Sequence, residues 1–201
     1  MDIRNDSAVL LETVRGYQAI SLADELYRRR CLFLTEEVDA ESANRLLKQL
    51  LLLETENPGE DITLYINSPG GDVYSGLAVY DMLTNMPCRV RTVCIGTAAS
   101  MGAILFLAGE ERVMLPHSQV MIHDPAYGGG DLGGRKPLEL REKLDSLMQT
   151  RELLCGIIAE RTGRSLDEIR ERTGKDSYFN AQEAVEFGLA TKIRFRKDGI
   201  E

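Results

Sequence analysis

The side chains of this chain that are best suited to chemistry form a short set: one serine at a strand-to-helix junction, 2 histidines, and a few aspartates near turns. In the run Val93-Cys94-Ile95-Gly96-Thr97-Ala98-Ala99-Ser100-Met101-Gly102-Ala103, Ser100 lies between an apolar strand and an apolar helix. A hydroxyl in that place sits near the positive end of a helix dipole. The Met101 N–H, a first-turn donor with no intrahelical acceptor, can face an oxyanion. Small neighbours at Gly96, Ala98, Ala99, Gly102 and Ala103 let a substrate or a second backbone come close. The same run also fits a serine that only caps a buried helix, so other residues must separate nucleophile from cap.

A serine nucleophile needs a base, and the choice is His117 or His123. His123 ends the apolar stretch Val120-Met121-Ile122 and is followed at once by Asp124-Pro125, which stops a strand. His117 sits in a Pro116-His117-Ser118 turn, a setting that suits a solvated side chain. A third group must orient the imidazole and stabilise its charged form during acyl transfer. Asp145, Asp167 and Asp176 are the candidates. The first two fit helix surfaces, whereas Asp176 lies in a turn, Gly174-Lys175-Asp176-Ser177, that leads into apolar Tyr178-Phe179. A turn aspartate can equally bond its own backbone, and spacing does not choose among the three. For a second oxyanion donor, Asn67-Ser68-Pro69-Gly70-Gly71-Asp72-Val73 offers paired glycines whose N–H groups can point into a site; as a motif it is also a common strand-to-helix turn.

These residues need rigid elements to carry them. Residues 19–30 have helical spacing and lead into a strand-like Cys31-Leu32-Phe33-Leu34. Asp39 reads as the cap of a helix over 43–53 whose leucines spread over too wide an arc for burial on one side only. Segments 61–67 and 89–95 read as core strands, each followed by a glycine-bearing turn and a helix, near 74–86 and 100–109. That alternation predicts parallel pairing with crossover helices. Strands follow at 112–115 and 119–123, then a glycine-rich loop over 128–134, then a helix from Pro137 to about Arg161. Ser165-Leu166-Asp167-Glu168 and Asn180-Ala181-Gln182-Glu183 have capping-box spacing, the second helix closing at Gly188.

With 201 residues the chain is long enough for one well-buried core, and 43% hydrophobic against 28% charged residues is a globular balance. The net charge of −8 and the lack of a basic block argue against nucleic acid as a partner. Arg28-Arg29-Arg30 reads as the solvated face of a helix. No signal architecture opens the chain and no apolar stretch is long enough for a bilayer, so a soluble, cytoplasmic protein with no membrane contact is expected. Cys31, Cys88, Cys94 and Cys155 are scattered, which predicts buried thiols and no metal site.

Four ordered motifs, Ser68-Pro69-Gly70-Gly71, Gly96 to Ala103, Met121-Ile122-His123-Asp124-Pro125 and Asp176 to Ala184, strongly resemble the family of Clp protease proteolytic subunits, and the match runs from about Val9 to Ile193. The resemblance implies an α/β fold, the ClpP/crotonase-like superhelix of β-β-α units with a protruding handle helix and strand. In one domain, 1–16 would be an axial N-terminal segment, 17–126 and 162–201 the head, and 127–161 the handle. It implies a serine endopeptidase with catalytic Ser100, His123 and Asp176 and an oxyanion hole from Gly71 and Met101. Extended substrate would pair with main chain near Asp72, Val73, Tyr127 and Gly128, giving broad specificity. Heptameric rings would stack in pairs through their handles, and a Clp/Hsp100 AAA+ unfoldase would feed in unfolded polypeptide. The subunit would need no cofactor, ATP being used by the unfoldase, in keeping with the lack of a Walker loop in the sequence.

The match has departures. The family's usual glutamine after the histidine is Asp124 here, the handle loop is longer and richer in glycine, and Pro137 replaces polar residues. Gly174-Lys175 keeps only the basic half of an acidic-basic pair, which predicts a weaker or differently controlled double ring. Ile20 and Ala23 replace tyrosines of the cleft that receives unfoldase loops. Two other functions fit parts of the pattern: a divergent paralogue acting as a structural or regulatory subunit of a mixed ring, and an acyl-CoA hydratase or isomerase on the related crotonase fold. The hydratase reading is opposed by a serine and histidine where such enzymes rely on a carboxylate.

Overall fold

The computed structural model describes residues 8–14, 16–128, 134 and 136–195. An antiparallel hairpin, β1 (Ala8–Thr13) and β2 (Gly16–Ser21), opens the described chain. The helix read at 19–30 is therefore shorter than its spacing indicates. Ser21 ends β2 and caps α1 (Leu22–Arg28), its hydroxyl accepting the Asp24 N–H at 3.0 Å. Half of the expected axial segment and most of the glycine-rich loop lie outside the described residues.

After β3 (Cys31–Leu34), Asp39 caps α2 (Ala40–Glu56) through a reciprocal box with Ser42. Two sequence expectations are corrected in this part. Leu46, Leu50 and Leu53 are buried, but Leu51 and Leu52 are 53% and 49% exposed, so α2 buries one face in this protomer. Arg30 is no solvated side chain: it is 4% exposed, takes a left-handed φ of 57°, and its guanidinium donates to the carbonyls of Asp61 and Leu53. It turns the chain from α1 into β3 and caps the C-terminal end of α2.

The sheet is built around a single long strand. It contains β4 (Ile62–Ser68), β5 (Val90–Ala99), β6 (Glu111–Met114), β7 (Gln119–Ile122), β8 (Ser177–Asn180) and β9 (Lys192–Ile193) beside β3. One edge of β5 pairs with β4. Along its other edge, residues 91–94 pair with β6 and residues 97–99 with β7, both parallel, because the turn at Pro116-His117 steps the chain onward along the same edge. Parallel pairing holds throughout this sheet except between β7 and β8, which run antiparallel. The crossovers are α3 (Val73–Thr84) and α4 (Met101–Leu107). Every residue of α4 is buried, so this short helix forms the centre of the core beneath the sheet, and each large side chain there contributes about 1.5–3 kcal/mol.

The second half is helical. The helix α5 (Pro137–Thr162) starts on proline and ends on Gly163 at φ 72°. Its N-terminal part leaves Leu138, Leu144 and Met148 exposed, and only Leu154, Cys155 and Ile158 are buried. The two short helices fall where their capping residues predict. Ser165 caps α6 (Leu166–Thr173), and Asn180 with Glu183 forms a full box on α7 (Ala181–Phe187), closed by Gly188 at φ 95°. Cys88, Cys94 and Cys155 are buried and Cys31 half-buried, all as free thiols. Among the described residues no helix is long and apolar enough to cross a membrane, and no cluster of His, Cys, Asp or Glu could hold a metal.

Candidate active site

The site begins with a fault in strand register. Ile66 pairs with Cys94 but Ser68 pairs with Ala98, so β5 advances four residues while β4 advances two. The Asn67 side chain fills the resulting bulge, its Oδ1 accepting the Thr97 N–H at 3.0 Å. Gly96 makes room for it, since a methyl there would lie 2.4 Å from Asn67 Oδ1. The bulge brings the end of β5 level with the turn that follows β4.

Ser100 sits at φ 53°, ψ −121°, a left-handed backbone that a side-chain-bearing residue rarely adopts. This sharp turn lifts its hydroxyl out of both strand and helix. Although Ser100 occupies the N-cap position of α4, its side chain makes no capping bond. The hydroxyl lies 2.8 Å from His123 Nε2, and His123 Nδ1 lies 3.2 Å from Asp176 Oδ1. The ladders explain the meeting. Ala99 pairs with Met121 and the Ser100 N–H donates to the Met121 carbonyl, so the chain leaving β7 passes beside Ser100. Ile122 opposes Ser177, so the next antiparallel positions are His123 and Asp176. His117 is exposed in its turn, Asp145 is exposed on α5, and Asp167 is exposed and paired with Arg170. Among these candidates the structure brings only Ser100, His123 and Asp176 together.

The paired glycines lie against the same turn. A methyl on Gly70 would come within 2.6 Å of the Ala99 carbonyl, 2.7 Å of Ser100 Cβ and 2.8 Å of Met101 N. Gly70 therefore lets its backbone approach the Ser100–Met101 peptide closely. On the other side the Gly70 carbonyl accepts from Val38 N–H at 2.8 Å and Asp72 N–H donates to Val38 at 2.7 Å. These bonds flank Gly71, whose own N–H is directed to the opposite edge of the segment. Ser68 holds the turn from beneath. It is fully buried, donates to the Glu36 carbonyl at 2.5 Å and accepts the Gly70 N–H at 3.2 Å.

The substrate-binding candidates are less uniform. Asp72 has both main-chain N–H and carboxylate engaged, the latter capping α3 on Ser75 at 2.8 Å. Val73 lines an apolar depression beside Ser100 and His123, together with Ile104, Ile122, Pro125, Leu154 and Ile158. Tyr127 packs on α5, its hydroxyl donating to the Lys143 carbonyl at 2.9 Å beneath the Lys143 ammonium. Gly128 is exposed, with open space where a side chain would be. Residues 123–128 join no ladder. The depression's walls on α4 and α5 escape a motif search because they are ordinary apolar helix positions, brought to the serine only by packing.

Asp124 is turned away from the serine, its carboxylate accepting from Arg151 Nε at 2.7 Å. That bond holds the Arg151 guanidinium above its usual range, outweighing the opposing effect of burial.

Comparison with known proteins adds a family. The model of the Clp protease family matches residues 14–197. Curated relatives include the "ATP-dependent Clp protease proteolytic subunit 2" of Parasynechococcus marenigrum (strain WH8102), 43% identical over 187 residues, 92% of this chain and 93% of that protein. The "ATP-dependent Clp protease proteolytic subunit 1" of Synechococcus sp. (strain CC9902) is 42% identical with the same coverage, and the subunit 1 of Prochlorococcus marinus (strain NATL2A) is 41% identical.

Proposed function

The chain belongs to the Clp protease family, and from that premise we propose that this serine peptidase cleaves unfolded polypeptide with Ser100 as nucleophile, His123 as base and Asp176 as the group that orients the imidazole. The observation that carries this reading is the continuous path from Ser100 Oγ to His123 Nε2 at 2.8 Å and from His123 Nδ1 to Asp176 at 3.2 Å. His123 takes the hydroxyl proton as Ser100 Oγ bonds to the peptide carbonyl carbon. The oxygen that becomes negative is held by the N–H groups of Gly71 and Met101. His123 then returns its proton to the leaving amine as the C–N bond breaks, leaving an acyl-serine that water hydrolyses by the same route in reverse. The apolar depression at Val73 and Ile104 suits an apolar side chain next to the scissile bond. Main chain flanking Asp72 and at Tyr127-Gly128 offers an edge for extended substrate; Asp72's own N–H serves Val38 and its carbonyl accepts the Gly76 N–H, so the pairing groups on that side belong to its neighbours.

Membership of the family supports an assembled state. The chain would form heptameric rings stacked through α5 and the segment before it, in the cytoplasm, and receive substrate from a Clp/Hsp100 AAA+ unfoldase that spends the ATP. The peptidase itself would use no cofactor. The numbered subunits among the relatives leave room for a second paralogue in a mixed ring.

Labelling with a fluorophosphonate and hydrolysis of a short peptide, with Ser100→Ala alongside, tests the chemistry. Labelling present in the wild type and absent from the variant is the expected result. No labelling of the wild type, alone or with a Clp unfoldase, would refute a catalytic role for this subunit and favour the structural one.

A further inference from the structure

The His123–Asp176 contact lies just past the last pair of the β7–β8 ladder, Ile122 with Ser177. No further ladder pairing holds the two side chains, so something else must keep the open end closed. Beyond that last pair, a set of bonds converges on α5. The Asp124 N–H donates to the Thr173 carbonyl at 2.7 Å. Arg151, on α5, donates from Nε to the Asp124 carboxylate at 2.7 Å and from a terminal nitrogen to the Arg170 carbonyl at 3.0 Å. One guanidinium thus ties the residue after His123 to the last turn of α6, whose chain runs on to Asp176. Its side chain is 18% exposed, and Glu152, itself bonded to Arg170 at 3.2 Å, completes the cluster. One turn further along α5, Cys155 Sγ and the buried Thr173 Oγ1 lie 3.5 Å apart, so α5 touches the same corner twice.

Resting on the triad reading, we propose that Arg151 and Asp124 are a pair of positioning residues. They clasp the open end of the ladder and hold His123 and Asp176 in register. The Asp124 carboxylate binds the guanidinium more strongly than an amide would. Neither residue touches substrate; both act through His123. A small misplacement of a catalytic group costs up to about a hundredfold in rate, and that sets the size of the effect.

The test compares wild type, Arg151→Met, Arg151→Lys, Asp124→Asn and the Asp124→Asn/Arg151→Met double variant, each as the full assembled chain. The readouts are fluorophosphonate labelling rate, kcat and KM on a short peptide, Tm and sedimentation. The expected result is a roughly tenfold to hundredfold slower labelling and lower kcat in Arg151→Met, with KM within about twofold and assembly unchanged. Arg151→Lys should recover part of the rate, and the double variant should be no slower than the slower single one, since the two residues act as a unit. Equal labelling of Arg151→Met and wild type overturns the clasp and leaves the triad reading intact. So does a slowing that follows only the fall in Tm across the series, or losses that multiply in the double variant. A wild type that fails to label at all overturns the triad reading and the clasp with it.

Discussion

Ser100 and His123 meet at 2.8 Å because Ala99 pairs with Met121 and the Ser100 N–H donates to the Met121 carbonyl. The parallel β5–β7 ladder thus brings the chain that leaves β7, and with it His123, beside the serine. The same register makes the contact robust, since the backbone bonds that fix it are buried within the sheet.

Ser100→Ala is expected to abolish fluorophosphonate labelling and to lower peptide hydrolysis by at least about 10³-fold. Asp176→Asn, which keeps the shape but favours the wrong imidazole tautomer, should lower kcat by about 10²–10⁴-fold with little effect on Tm. Steady-state kinetics with thermal melts checks both, and an Asp176→Asn enzyme within a few-fold of wild type would remove Asp176 from the mechanism.

Gly70→Ala places a methyl 2.6–2.8 Å from Ala99 O, Ser100 Cβ and Met101 N, at a φ of 93° that alanine also resists. Because the obstructing atoms are backbone or bear the nucleophile, the turn must move. We expect kcat to fall by about 10²–10³-fold, the size of a lost oxyanion donor. A crystal structure of the variant should show the Ser68–Gly71 turn displaced from Met101.

Ser68→Ala removes the hydroxyl that joins the Glu36 carbonyl to the Gly70 N–H in a fully buried setting. Leaving those backbone groups without a partner costs roughly 1–3 kcal/mol, read as a lower denaturant midpoint. A looser turn should also reduce kcat about tenfold, more than KM changes.

Glu111 links three strands through Arg91, at 2.6 Å, and through Lys192. Burial pushes its carboxyl up, but the hydrogen bonds and charges of Lys192 and Arg91 more than reverse this and hold it below the usual carboxylate range. A depressed folded value means stability that is complete above the unfolded value of about 4.3 and is lost as pH falls through the folded one. Glu111→Gln should therefore be less stable than wild type at pH 7, by roughly 1 kcal/mol given its half-exposed partners. The gap should close in urea melts below about pH 4, and a gap independent of pH would show that the charge is not its source.

Local sequence determined much of the architecture. The caps at Asp39, Ser165 and Asn180 each bond an N–H three residues on, so a short segment specifies them completely. The apolar runs of β4 and β5, each followed by a glycine-bearing turn and helix, announce parallel crossover units for the same reason. The serine is legible too, since a small-residue run between strand and helix is a local pattern.

Tertiary structure decided the rest. Asp145, Asp167 and Asp176 are alike in sequence, and only the β7–β8 register, joining distant parts of the chain, brings Asp176 to His123. Arg30 is one of three consecutive arginines, and only the carbonyls of Leu53 and Asp61, brought from elsewhere in the chain, set it apart from a surface residue. Asp124 carries no local sign of its direction, which Arg151, on another helix, settles. Bonds within one turn of chain are written in neighbouring residues. Bonds between elements depend on register and packing, which the whole fold sets at once.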